Sequence, residues 1–171
     1  MGRLEGKTAV ITGGGRGIGK GIALRFAEEG ARVVISQRDA DSLAATCAEI
    51  EAAGRIATGI VGDVADPDAV DRLIIGAIEK YGGLDILVNN AGIGWPHGDF
   101  LDLTLEDWNT YISINATGSF LVGQAAARAM VAAGKGGKIV NIGSIQSYIY
   151  QPGFAAYAAS KGAVKMLTQA M

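Results

Sequence analysis

Short runs of β-branched residues alternate with longer stretches of helical periodicity along the chain, and this alternation limits the possible folds. The runs predict strands over residues 8–11, 32–35, 55–61, 84–88 and 138–142. The stretches that follow them predict helices over residues 18–29, 39–53, 67–81, 105–132 and 155–171. Strands joined by helical crossovers form parallel sheets that are covered on both faces. The sequence therefore predicts one α/β domain over residues 1–171, a doubly wound parallel sheet.

A glycine-rich loop lies between the first predicted strand and the first predicted helix. It reads Thr12-Gly13-Gly14-Gly15-Arg16-Gly17-Ile18-Gly19. Glycines allow the backbone to approach a pyrophosphate, and the helix N-terminus offers free N–H groups and the positive end of a dipole. The loop therefore predicts a dinucleotide site that includes Gly13, Arg16, Gly17, Ile18 and Gly19.

Two other interpretations of this loop remain open. The run from Gly14 to Lys20 matches a phosphate-binding P-loop except at Gly21, which lacks the hydroxyl needed for magnesium. The loop is also compatible with a glycine turn that binds no ligand.

The end of the second predicted strand bears on the choice between NADP and NAD. An acid that holds the ribose 2′-hydroxyl is expected about 20 residues beyond the loop, but Gln37 stands there and Arg38 follows. A guanidinium suits a 2′-phosphate, and Arg16 offers a second charge. We therefore expect NADP, with NAD possible if Asp39 or Asp41 holds the ribose.

Polar residues follow the fourth and fifth predicted strands. The fourth leads into Asn89-Asn90-Ala91-Gly92, at the carboxyl edge where parallel sheets bind ligands. The fifth leads to Ser144, and Tyr157 and Lys161 come later at a spacing of four, which puts them on one face of a helix. Taken alone, such a pair is usually a solvated helix face.

Together these segments closely resemble the short-chain dehydrogenase/reductase family. The matching motifs occur in the family's order and spacing: Thr12-Gly13-x-x-x-Gly17-x-Gly19, Asp63-Val64, Asn89-Asn90-Ala91-Gly92, Asn115, Ser144 and Tyr157-x-x-x-Lys161. The resemblance implies a Rossmann-like sheet with strand order 3-2-1-4-5. Family members are usually longer, so it also implies a chain that is incomplete at its C-terminus and lacks the last two strands.

The resemblance implies a role for each matching residue. Tyr157 is the acid/base, Lys161 holds the nicotinamide ribose, Ser144 binds the substrate oxygen and Asn115 supports a water relay to the lysine. Asp63 meets the adenine, and Asn89 and Gly92 border the cofactor cleft. The cofactor site also includes Val64, Asn90 and Ala91. Asn89 itself is also expected to brace a strand end.

The expected activity is hydride transfer between NADP(H) and a secondary alcohol or ketone. The alternative is a nucleotide-binding module, or a truncated pseudo-enzyme, without turnover. The substrate stays open among sugars or sugar acids, 3-oxoacyl thioesters and steroids. Candidate pocket residues are Trp95, Ile145, Ser147, Tyr148, Tyr150 and Phe154.

Composition excludes several other functions. Lys and Arg number 15 against 17 Asp and Glu, a balance that argues against nucleic-acid binding. The single cysteine, Cys47, fits a reducing compartment such as the cytoplasm, and no signal peptide or membrane span is predicted. No metal site is expected, because His97 and Cys47 are the only soft ligands and lie far apart in sequence. We expect His97 to lie in a surface loop.

Two predicted helices, 105–132 and 155–171, carry few charges. No residue from Trp108 to Ala127 is charged, although a helix with one solvated face should show a polar stripe. We therefore expect these helices to form a two-fold interface in a homodimer, or in a homotetramer. The alternative is that further C-terminal segments cover these faces within one chain.

Overall fold

Five parallel strands form a single sheet in the computed structural model, which describes residues 2–171. The strands are β1 (Thr8–Thr12), β2 (Arg32–Gln37), β3 (Ala57–Val61), β4 (Ile86–Asn89) and β5 (Lys138–Asn141). Their order is β3-β2-β1-β4-β5. The predicted doubly wound sheet and its strand order are confirmed.

The helices follow the predicted pattern with one interruption. They are α1 (Gly17–Glu28), α2 (Ala40–Ala52), α3 (Pro67–Tyr81), α4 (Leu105–Tyr111), α5 (Gly118–Ala132) and α6 (Ala155–Ala170). The predicted single helix over 105–132 is instead α4 and α5 joined by a π-helical turn, Ile112–Thr117. Such turns are rare and often occur at functional sites, and this one contains the buried Asn115.

Side chains of the central strands alternate between two hydrophobic cores. On β1, Ala9 and Ile11 pack with α1 and α2 on one face, whereas Val10 packs with α3 and α5 on the other. On β2, Val33 and Ile35 face the first core and Val34 faces the second. This period-two alternation explains why the strands read as continuous apolar runs.

The chain turns back sharply after three of the helices, as the glycines there predict. Gly30, Gly54 and Gly82 have φ angles of 89°, 72° and 78°, the left-handed conformation of a helix C-cap. Each return places the next strand parallel to the last. The carboxyl ends of the strands therefore meet at one edge of the sheet.

The connections divide at this edge. From β1 the chain moves outward to β2 and β3, and then crosses back to β4 and β5 on the other side of β1. A crevice forms where the direction of winding reverses, beyond the ends of β1 and β4, and open α/β sheets bind ligands at such a point. In residues 2–171, no helix is both long enough and apolar enough to cross a bilayer.

Candidate functional site

A cleft of about 530 Å³ occupies the crevice at the carboxyl ends of the strands. Twelve of the predicted site residues line it: Gly13, Arg16, Gly17, Ile18, Arg38, Asp63, Val64, Asn90, Ala91, Gly92, Tyr157 and Lys161. Gly19, Asn115 and Ser144 are not among its lining residues. The fold thus brings together residues that are as far apart in sequence as Gly13 and Lys161.

The glycine loop forms a cradle at the start of α1. Gly13 and Gly17 have φ angles of 66° and 53°, which a side chain would strain. Arg16, at the N-cap, makes no side-chain hydrogen bond to the helix, and no acidic residue lies in the first turn. Free N–H groups at a helix N-terminus without an acid favour an anion. The cradle therefore fits the pyrophosphate of a dinucleotide.

Gly19 is predicted to bind the cofactor but lies behind the cradle. A Cβ at this position would collide with the Gly13 carbonyl oxygen and with Asn90 Nδ2, and it would lie 2.8 Å from the Gly13 carbonyl carbon. The absence of a side chain at Gly19 allows α1 to pack directly under the loop.

Asn90 ties the glycine loop to the end of β4. Its side-chain amide donates to the carbonyl oxygens of Thr12 and Gly13, at 3.0 and 3.3 Å. In return, Thr12 Oγ1 accepts from the backbone N–H groups of Asn90 and Ala91, both at 3.0 Å. These bonds fix the two loops against each other across the cleft.

Gln37, Ser42 and Thr46 hold Gly15 in place, a role that the sequence does not reveal. The backbone N–H of Gly15 donates to Gln37 Oε1 at 3.3 Å, and Gln37 Nε2 donates to Ser42 Oγ at 2.9 Å. The buried hydroxyl of Thr46 donates to the Gly15 carbonyl at 3.1 Å. The carboxamide at the expected ribose position is therefore engaged in bracing the loop.

Arg38 and Asp63 form an ion pair at the outer end of the cleft, with 3.2 Å between Arg38 Nη1 and Asp63 Oδ2. The Arg38 side chain is 63% exposed, so solvent screens this pair. Asp63 Oδ1 also accepts from the Ala65 N–H at 2.9 Å, which fixes the loop that contains Val64.

Asp39, the alternative ribose ligand, caps α2. Its carboxylate accepts from the Ser42 N–H at 2.8 Å. Hydrogen bonds from the Ser42 side chain and backbone hold the pKa of Asp39 below its usual value, and the charge of Arg16 contributes less. The other alternative, Asp41, lies exposed in the first turn of α2 and is not among the lining residues of the cleft.

Lys161 lies buried on α6 with its ammonium inside the cleft. Its Nζ donates to the Ile142 carbonyl at the end of β5, at 2.7 Å. Burial lowers the pKa of Lys161 from its usual value. Gly92 lies beside this ammonium: a Cβ there would be 3.7 Å from Lys161 Nζ and 3.0 Å from Asn115 Oδ1.

The side chain of Asn115 is fully engaged within the protein. Its Oδ1 accepts from the Ile93 N–H at 2.8 Å, and its Nδ2 donates to the Ile93 carbonyl at 3.0 Å and to Ser160 Oγ at 2.9 Å. Asn115 therefore links the π-helical turn to the loop after β4 and to helix α6. Its contact on α6, Ser160, directly precedes Lys161.

Tyr157 lies one turn before Lys161, and both line the cleft, as the spacing predicts. The Tyr157 ring packs edge-on against Phe154 and the buried Tyr111, at centroid distances of 6.0 and 6.4 Å. Gly94 lies against the same ring, since a Cβ there would be 2.9 Å from Tyr157 Cε2. The residues that pack against the ring, Phe154, Tyr111 and Gly94, are not part of the Tyr157-x-x-x-Lys161 motif.

Ser144 begins a short 3-10 turn, Ile145–Ser147, and its Oγ accepts from the Gln146 N–H at 3.2 Å. Its neighbour Gly143 lines the cleft. Ser147, a predicted pocket residue, instead donates its hydroxyl to the Lys161 carbonyl at 2.9 Å. This bond ties the turn to α6.

One expectation about an individual residue needs correction. Asn89 is not among the lining residues of the cleft; it is buried and donates to the Ser119 carbonyl and to Asn141 Oδ1, so that it braces β4 as its position at a strand end suggests. His97 lies in a loop between exposed neighbours, as expected, but it is half-buried and its Nε2 accepts from the Ala156 N–H at 3.2 Å, a bond that the sequence does not reveal. Among residues 2–171, no group of three or more His, Cys, Asp or Glu side chains is placed to hold a metal ion.

Comparison with known proteins relates the chain to curated dehydrogenases. It is 44% identical to gluconate 5-dehydrogenase from Gluconobacter oxydans over 168 residues, which are 98% of this chain and 65% of that protein. It is 41% identical to sorbitol dehydrogenase from Cereibacter sphaeroides over 167 residues, 98% of this chain and 64% of that protein. The chain thus spans just under two thirds of the length of these relatives.

Solved structures share its fold. A short-chain type dehydrogenase/reductase from Mycobacterium marinum superposes with a TM-score of 0.95 at 42% identity, covering 98% of this chain and 68% of that one. A metagenomic short-chain oxidoreductase in complex with NADP gives a TM-score of 0.92 at 39% identity, covering 98% and 75%. The family model for short chain dehydrogenases matches residues 7–171. The chain therefore belongs to the short chain dehydrogenase family.

Proposed function

We propose that the protein is an oxidoreductase that transfers a hydride between NADP(H) and a secondary alcohol or ketone. One observation carries this proposal: Tyr157 and Lys161 line the same cleft as the glycine cradle. A dinucleotide whose pyrophosphate lies in the cradle extends along the cleft towards this pair. The relatives named above support the reaction class.

Tyr157 acts as the acid/base in this proposal. Lys161 lines the same cleft, and its positive charge would stabilise the negative charge that the phenol oxygen carries when it has given up its proton. Ser144 would donate a hydrogen bond to the substrate oxygen. In oxidation, the phenolate accepts the hydroxyl proton of the alcohol, and NADP⁺ supplies the hydride acceptor when bound.

The activity test is the initial rate of NADPH formation with a panel of alcohols. The panel should include simple secondary alcohols together with gluconate and sorbitol, the compounds that appear in the names of the two relatives. Rates above those of a no-enzyme control with at least one of these alcohols support the proposal. A protein that binds NADPH but turns over no alcohol or ketone in either direction would instead favour a binding module.

We expect NADP(H) to bind more tightly than NAD(H). One charge-assisted contact is worth about 1.5–3 kcal/mol, and Arg38 and Arg16 both line the cleft where the 2′-phosphate would lie. The expected preference is therefore about tenfold to about a hundredfold, measured by fluorescence titration with NADPH and NADH.

The Arg38→Gln variant should lose most of this preference. Arg55→Gln is the matched control, because Arg55 is exposed and lies outside the cleft. Equal affinities in the native protein, or a preference for NADH, would instead assign the ribose to an acid such as Asp39.

We also propose that α4, α5 and α6 form a subunit interface. Apolar side chains on these helices remain exposed, among them Leu105, Trp108, Phe120, Val131 and Met166. A second copy related by a two-fold axis would bury them. Light scattering at micromolar concentration should give the mass of a dimer or tetramer, and Phe120→Glu should lower it. A native protein of monomer mass would refute the interface.

A further inference from the structure

Helix α6, which carries Tyr157, begins without a cap from its own sequence. The N-cap residue is Phe154, which has no polar side chain to offer and makes no side-chain hydrogen bond to the first turn. Ala155, Ala156 and Tyr157 follow as the first three helical residues. Helices usually satisfy the N–H at the second or third position with an N-cap oxygen, so this helix needs another acceptor.

His97 provides that acceptor from a loop 59 residues away in sequence. The backbone N–H of Ala156 donates to His97 Nε2 at 3.2 Å. The backbone N–H of His97 donates to the Gly153 carbonyl at 2.9 Å. Nε2 must therefore carry a lone pair, which places the hydrogen of the neutral ring on Nδ1. The bonded residue, Ala156, is fully buried and directly precedes Tyr157.

Packing alone does not explain an imidazole at this position. His97 Nδ1 is buried and has no hydrogen-bond partner in residues 2–171. An unpaired buried donor is unfavourable, and a leucine would fill the same space without it. The feature that distinguishes His97 from an apolar residue is the hydrogen bond that its Nε2 accepts from the Ala156 N–H of α6.

The loop that holds His97 is itself fixed around the Tyr157 ring. The buried Tyr111 packs edge-on against His97 at 5.9 Å and against Tyr157 at 6.4 Å, and its hydroxyl donates to the Trp95 carbonyl at 2.6 Å. Gly94, in the same loop, lies against Tyr157. The loop therefore contacts both the ring of Tyr157 and the backbone that carries it.

We propose that His97 is a positioning residue for Tyr157: it caps α6 through Ala156 and so fixes the direction of the phenol. This inference rests on the proposed function, in which Tyr157 exchanges a proton with the substrate. The cap acts on the tyrosine and not on the glycine cradle. Its loss should therefore lower kcat and leave cofactor affinity unchanged.

The test compares His97→Leu with His97→Gln. Leucine keeps the apolar volume but removes the acceptor, whereas the carbonyl of glutamine reaches the place of Nε2. We expect His97→Leu to lower kcat about tenfold, less than the roughly 100-fold cost of a 1 Å misplacement. His97→Gln should restore most of the rate, and both variants should bind NADPH with native affinity. Amide hydrogen exchange at Ala156 and Tyr157 should be faster in the leucine variant alone.

Several outcomes would overturn the proposal. A native kcat in His97→Leu, whatever its melting temperature, would show that His97 has a structural role only. An equal loss in the leucine and glutamine variants would exclude the acceptor as the cause. If His97→Leu does not fold, the glutamine variant decides: native kcat and native exchange support the cap, and loss of either contradicts it.

Tyr157→Phe in the same series separates this inference from the proposed function. If that variant is inactive and His97→Leu keeps its full rate, the positioning role fails and the function stands. If Tyr157→Phe keeps its full rate, the acid/base role of Tyr157 fails, and the positioning role fails with it.

Discussion

The Tyr157→Phe variant is expected to lose at least about 100-fold in kcat, the lower range for removal of a general acid/base, while its NADPH affinity stays close to native. The substitution removes one hydroxyl and keeps the ring. The packing against Tyr111, Phe154 and Gly94 is therefore retained. Stopped-flow or steady-state rates, together with fluorescence titration of NADPH, measure the two effects separately.

Tyr81→Phe is the matched control for this variant. Tyr81 ends α3, and its hydroxyl is hydrogen-bonded to Thr58 Oγ1 at 2.6 Å, near the start of β3 and away from the cleft. Its loss should lower stability slightly and leave kcat unchanged. A Tyr157→Phe enzyme with near-native turnover would refute the mechanism.

Lys161 should behave differently from Tyr157 because it has two roles in the proposal. Lys161→Ala removes the cation beside the phenol and the group that would hold the nicotinamide ribose. It also removes the donor to the Ile142 carbonyl. Both kcat and cofactor affinity should therefore fall, whereas Tyr157→Phe affects kcat alone.

Most of the fold could be predicted because its signals are local. The apolar runs of β1 and β2 and the glycines after the helices each depend on a few neighbouring residues. The π-helical turn at Asn115 could not be predicted, because it has no local signal of its own. Helical and π-helical turns bury nearly the same pattern of apolar residues, and no proline or glycine lies within Ile112–Thr117 to signal the change.

The sequence likewise predicts only part of the candidate site. Tyr157 and Lys161 are recognisable because four residues separate them on one helix. The residues that hold the site in place are not recognisable, because their bonds join distant segments: Asn90 to Thr12, Thr46 to Gly15, and His97 to Ala156. The sequence contains their donors and acceptors but does not show which of them meet.

Gly19 and Gly21 show this limit most directly. Both lie in α1, two residues apart. A Cβ at Gly21 would have nothing within 4 Å, whereas a Cβ at Gly19 would overlap the Gly13 carbonyl and Asn90 Nδ2. Because both glycines are helical, alanine gains the same intrinsic helix propensity at either site, about 1 kcal/mol.

The difference between the two alanine variants therefore isolates the close approach at Gly19. Gly21→Ala should raise the free energy of unfolding by up to about 1 kcal/mol and leave NADPH affinity native. Gly19→Ala should lose about 1–3 kcal/mol to overpacking and displace the Gly13 carbonyl and Asn90. Because these groups form the floor of the cradle, we expect NADPH affinity to fall by at least about 100-fold, the equivalent of roughly 2.7 kcal/mol.

Chemical denaturation and fluorescence titration of the two variants measure both effects. A Gly19→Ala protein that loses stability but binds NADPH as tightly as Gly21→Ala would show that the close contact with Gly13 supports only the packing of α1 on the sheet. Loss of affinity in Gly19→Ala with native affinity in Gly21→Ala would instead link the contact between α1 and the loop directly to cofactor binding.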